Sequence, residues 1–174
     1  MNFKRILSIL AAAALLNASV SPVFPAGTAD GAKASAETAA PAVSFTDTDG
    51  HWAHDAIDRW ASLGVVVGEN GVFRPDDALT RAELAVILQR VMRYETVSEE
   101  VFDDLTEDWY TDAILKLRAA GVMRGDEANR ALPGAPVTRE EASVLIARAF
   151  AMDPSGSALP FPDAASISDW AKGY

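Results

Sequence analysis

The 174-residue sequence contains no cysteine. Disulfides, Cys-ligated zinc, iron–sulfur clusters and thiol catalysis are therefore excluded. Basic residues are scarce: 15 Lys and Arg stand against 25 Asp and Glu, for a formal net charge of −10. A chain this acidic is ill suited to nucleic acid, where cationic side chains must replace counterions. Long apolar runs are scarce too. The one that stands out, Ile6 to Leu16, falls well short of the roughly 20 residues a membrane helix needs. Glycine-rich phosphate loops and nucleophile elbows are missing, so the sequence predicts no catalytic residues, no cofactor and no enzyme activity. The two histidines, His51 and His54, correspond to Asp108 and Thr111 in the repeat described below, which leaves no metal set.

What is present begins with a leader. Lys4 and Arg5 precede the short apolar run, and small residues follow it, the pattern of a secretory signal peptide. Residues 1–36 are read as signal peptide, with cleavage between 26 and 36, and residues 37–44 as linker. Ala34-Ser35-Ala36 fits the small-x-small rule. Cleavage after Ala36 removes Lys4, Arg5, Lys33 and Asp30, leaving 12 basic and 24 acidic residues and a net charge of −12. The mature chain is expected to be exported and soluble, without a membrane span.

An internal repeat organises the remainder. Trp52, Ile57, Gly64 and Gly68 recur 57 positions later as Trp109, Ile114, Gly121 and Gly125. After one inserted residue, Thr80, Arg81 and Glu83 recur as Thr138, Arg139 and Glu141. Phe45 and Asp47 open copy one, and Phe102 and Asp104 open copy two. Phe161, Asp163, Ile167, Trp170 and Ala171 open a third. The copies are placed at 45–96 and 102–152, with an incomplete third at 161–174.

Each copy reads as two helices joined by a loop. Trp52, Ala53, Ala56, Ile57, Trp60 and Leu63 form one apolar stripe, stopped by Gly64. Trp109, Ala113, Ile114, Leu117 and Ala120 repeat it, stopped by Gly121. The second helix of each copy begins with a capping box, Thr80-Arg81-Ala82-Glu83 and Thr138-Arg139-Glu140-Glu141. A very short β-bridge is expected between 65–67 and 72–73. One such hairpin buries too little apolar surface to stand alone. The copies are therefore expected to pack side by side through Trp52, Trp60 and Trp109, leaving a groove between them. The fold class is all-α, as tandem helix-loop-helix repeats.

Phe-x-Asp, His-Trp-Ala, Leu-Gly-Val, Phe-Arg-Pro and Leu-Thr-Arg-Ala-Glu together resemble the surface-layer homology (SLH) domain. The resemblance spans 45–152 as two copies plus the start of a third. It implies a pseudo-threefold helical bundle and a non-catalytic role: anchoring exported proteins to the cell wall or surface layer of a Gram-positive-type bacterium. The implied partner is an acidic, pyruvylated secondary cell-wall polysaccharide held in the grooves between copies. Carried over, Arg81 and Arg139 contact the acid, Trp52 and Trp109 face sugar rings, and Gly68 and Gly125 allow close backbone approach. An arginine fork suits a carboxylate, and a helix's first turn offers free N–H groups. Against this, Arg81 and Arg139 are also readable as exposed first-turn residues pairing with Glu83 and Glu141. Trp52 and Trp109 are also readable as core. Two further functions fit the sequence: an N-terminal anchor of a larger exported enzyme such as a polysaccharide hydrolase, and a self-assembling surface-layer protein.

Overall fold

The computed structural model describes residues 44–154, 162 and 164–174. The leader, the linker to residue 43, Phe161 and Asp163 lie outside the described residues. Among the described residues four α-helices follow in order: α1, His54–Ser62; α2, Arg81–Met92; α3, Thr111–Ala119; α4, Arg139–Ala149. A 3-10 turn, Ala164–Ser166, comes after them. Among the described residues there is no extended strand, only isolated bridges at Glu69–Val72 and Thr80–Pro136. The first uses Val72 as expected, but its partner Glu69 lies two residues beyond the expected 65–67.

The element starts have local causes. Both capping boxes form: Thr80 and Thr138 accept from the N–H of Glu83 and Glu141, whose carboxylates accept the Thr N–H in return. Gly64 and Gly121 adopt left-handed φ of 70° and 71° after α1 and α3. That conformation, cheap for glycine, ends each helix.

Helix α2 packs against both α3 and α4, so the copies share one core. Ile57, Leu84, Leu88, Phe102, Ile114 and Leu117 are almost or fully buried in a single cluster spanning both copies. Tyr94, after α2, donates its hydroxyl to the Ala149 carbonyl at the end of α4, 3.0 Å away. Ser98, in the short acidic segment between the copies, donates its N–H to Leu115 O at 3.2 Å. These contacts hold the copies side by side, as their shared apolar burial requires.

The tryptophans correct one expectation. Trp60 packs half-buried at the core margin, but Trp52 and Trp109 are 52% and 63% exposed. The apolar stripe assumes a helix that begins at Trp52. In fact α1 begins at His54, and Trp52 sits in a hydrogen-bonded turn before it. Trp109 likewise precedes α3, which begins at Thr111. A residue outside the helix does not follow its 3.6-residue period.

Candidate inter-repeat groove

A groove of 640 Å³ runs along copy one and is closed by Trp109 from copy two. Its floor and walls come from the Val65–Glu69 loop, the segment 72–80, and Glu83, Val86, Ile87 and Arg90 on α2. Apolar valines line one side, while Glu69, Asp77, Glu83, Arg74 and Arg90 supply charge. Cations and carboxylates are mixed, so the groove has local recognition elements and no net positive field. No helix among the described residues is long and apolar enough to cross a membrane.

The loop that forms this wall is shaped by the repeated Phe-x-Asp opening. The Asp47 carboxylate accepts the N–H of Phe73 at 2.9 Å and of Arg74 at 2.6 Å. Asp104 does the same for Ala131 and Leu132, at 2.7 and 2.8 Å. Arg74 and Leu132 both take left-handed φ, 59° and 53°, and the aspartate fork offsets that strain. The Phe73 N–H, more than any other group, holds Asp47 below the usual carboxylate range. The repetition of Asp47 and Asp104 was visible in the sequence; the 26- to 28-residue span to their partners was not.

Of the six residues expected to contact ligand, Trp109 and Gly68 line the groove. The close approach at Gly68, however, is internal. A Cβ there would lie 2.4 Å from Val72 O and 2.5 Å from the Phe45 ring. At Gly125 it would lie 2.6 Å from Phe102. Both glycines make room for the opening phenylalanine of their own copy. Trp52 lies beside His51, with ring centroids 5.5 Å apart, and is not part of this groove's lining.

Arg81 takes a position no local reading foresaw. It is only 9% exposed. Its Nε donates to Ala131 O and its Nη1 to Glu141 Oε1, both at 2.7 Å. It therefore pairs with the capping glutamate of the other copy and not with Glu83 of its own. The free first-turn N–H groups expected beside it are occupied as well. Arg81 N–H donates to Ala135 O at 2.9 Å and Ala82 N–H to Pro133 O at 3.0 Å. Val137 N–H returns a bond to Leu79 O at 2.8 Å. The copy-two loop thus caps α2 of copy one. Arg139, the counterpart, is exposed, and its guanidinium makes no hydrogen bond or ion pair among the described residues.

The repeat has counterparts in known proteins. The family model for the S-layer homology domain matches residues 44–85 and 101–143. An amylopullulanase of Thermoanaerobacterium thermosulfurigenes is 36% identical over 137 residues, 74% of this chain and 7% of that protein. A surface-layer 125 kDa protein of Lysinibacillus sphaericus is 33% identical over 71% of this chain and 11% of its own length. Exoglucanase XynX of Acetivibrio thermocellus is 34% identical over 75% of this chain and 13% of its own. The chain thus corresponds to a small fraction of each of these proteins. The chain belongs to the SLH-domain proteins, whose repeat is a non-catalytic module that anchors to the cell wall.

Proposed function

We propose that this chain holds an exported protein at the bacterial cell surface by binding an acidic, pyruvylated secondary wall polysaccharide in the groove closed by Trp109. The observation that carries the reading is the presence of an exposed indole from one copy in the lining of a charged groove of the other. An aromatic face covers the apolar face of a sugar ring, and mixed charges select its substituents. Bulk attraction is not the driving force, because a net charge of −10, or −12 once residues 1–36 are removed, repels an anionic polymer and only local cations reward binding. Trp109 and Gly68 lie in the groove. Arg81 acts by fixing the copies relative to each other, and Arg139 and Trp52 stand as exposed contacts outside it, with Gly125 shaping the copy-two loop. The module itself performs no catalysis in this reading.

Sedimentation with purified, protein-free cell walls tests the proposal. The parent should co-sediment, and Trp109→Ala should lose roughly tenfold in affinity, as expected for a central aromatic anchor. Equal retention of parent and variant would reject the groove.

A second reading concerns the attached activity. The amylopullulanase and exoglucanase relatives, of which this chain matches about a tenth, favour an anchor for a larger exported polysaccharide-degrading enzyme. A blot of native wall extracts with antibody against residues 45–152 should then reveal a species far heavier than 18.5 kDa. A band at the size of this chain alone would reject that reading.

A further inference from the structure

We infer that Arg90, and not an arginine of the capping boxes, is the cation that reads the acidic group of a ligand in the groove. The inference rests on the reading of the groove as a polysaccharide site.

Among the described residues four arginines are buried or half-buried: Arg81, Arg90, Arg118 and Arg148. Guanidinium groups are seldom drawn from water without a carboxylate partner. Arg81 has Glu141. Arg118 has Glu100 at 2.9 Å and Asn129 at 2.9 Å, and stacks on Phe102 with Cζ 4.1 Å from the ring centroid. Arg90 has neither kind of support. Its Nη1 donates to Val65 O at 3.3 Å, and it forms no ion pair among the described residues. The rest of its fork has no protein acceptor there, yet its side chain lies in the groove wall with Trp109.

Arg148 repeats this state 58 positions later. Its Nη1 donates to Val122 O at 3.4 Å, the carbonyl corresponding to Val65. Its Nε is buried without a hydrogen-bond partner, and the Tyr174 ring lies 5.5 Å from its Cζ. Two half-buried guanidinia, each held by one long hydrogen bond to the same loop position, form a pattern of the fold. One long bond to a neutral carbonyl orients a fork without neutralising it. A carboxylate on a sugar bound under Trp109 would accept two parallel N–H bonds from it. Arg74 shares the groove but is exposed, and Leu132 replaces it in copy two. Glu69, Asp77 and Glu83 also line the groove. They disfavour an anion elsewhere in it and so sharpen the dependence on Arg90.

The test uses the full chain and purified wall polysaccharide, before and after mild acid removes its pyruvate ketals. The parent should bind the intact polymer more tightly than the stripped one. Arg90→Gln should lose roughly tenfold or more on the intact polymer and match the parent on the stripped polymer, with an unchanged melting temperature. Parent-like binding by Arg90→Gln overturns the inference, as does an equal loss on both polymers. Phenylglyoxal labelling decides independently of variant folding. Saturating intact polymer should protect Arg90 of the parent while Arg59, exposed and outside the groove lining, still reacts; Arg90 modified at the polymer-free rate overturns the inference. A parent that binds neither polymer overturns the function proposed for the groove, and this assignment with it.

Discussion

Phe45 and Phe102 each lay a ring against a loop glycine of their own copy, and that contact tolerates no added carbon. Gly68→Ala places a methyl 2.4 Å from the Val72 carbonyl and 2.5 Å from the Phe45 ring. Gly125→Ala adds a left-handed φ of 76° to a contact of 2.6 Å with Phe102. Each is expected to destabilise by ~2 kcal/mol, read from urea melts. Gly64→Ala is the comparison: φ is 70° but nothing lies within 4 Å, so only the left-handed strain of about 1 kcal/mol applies. Equal costs at all three positions would show that crowding is not what selects glycine at 68 and 125. Asp47 gives a second prediction at this scale. Its pKa is lowered below 3.8, first by the Phe73 N–H. A carboxylate with a depressed folded pKa contributes fully above its unfolded value and loses that contribution as pH falls through the folded one. Melting temperature measured from pH 6 downward should therefore start to fall near pH 4. Asp47→Asn should flatten that fall; an identical profile would remove Asp47 from the acid response.

At the scale of the elements, the second helix of each copy depends on its capping box. Thr138→Ala should cost about 1 kcal/mol, because the orphan N–H of Glu141 loses its acceptor. Thr80→Ala should cost at least as much, since Thr80 also donates its hydroxyl to Glu83 Oε2 at 2.8 Å. Chemical melts of both variants check this, and a neutral Thr138→Ala would mean solvent replaces the cap. These boxes were legible in the sequence because their partners lie three residues apart. The glycine stops after α1 and α3 were legible for the same reason. Trp52 and Trp109 were misplaced because the period says which face a residue takes only once the helix start is known. The joint between copies was not legible at all. Arg81 and Ala131 are 50 residues apart, and nothing in a Thr-Arg box says whether its arginine faces solvent, a ligand or a neighbouring loop. Arg90 escaped notice because an arginine late in an amphipathic helix reads as a favourable charge near its C-terminus.

At the scale of the whole molecule, the two capping boxes carry the same residue types with opposite fates, and that asymmetry separates a joint from a surface. Arg81 is buried against Glu141 and Ala131 O, whereas Arg139 is exposed. Removing one member of a buried pair strands the other, at about 3–5 kcal/mol when both are fully buried. The Glu141 side chain keeps 26% exposure, so the lower end applies: Arg81→Ala should cost about 3 kcal/mol and Arg139→Ala within about 0.5 kcal/mol of zero. Urea denaturation of the two variants measures both. Because one apolar cluster runs through both copies, Arg81→Ala should shift a single transition and not split it into two. A double-mutant cycle with Glu141→Gln isolates the pair, and a coupling of at least 0.5 kcal/mol is expected for residues in direct contact. Simple additivity, or equal costs at Arg81 and Arg139, would mean that the shared core alone fixes the angle between copies. In that case the position of Trp109 over the groove would owe nothing to Arg81, and Arg81→Ala should hold wall polymer as well as the parent does.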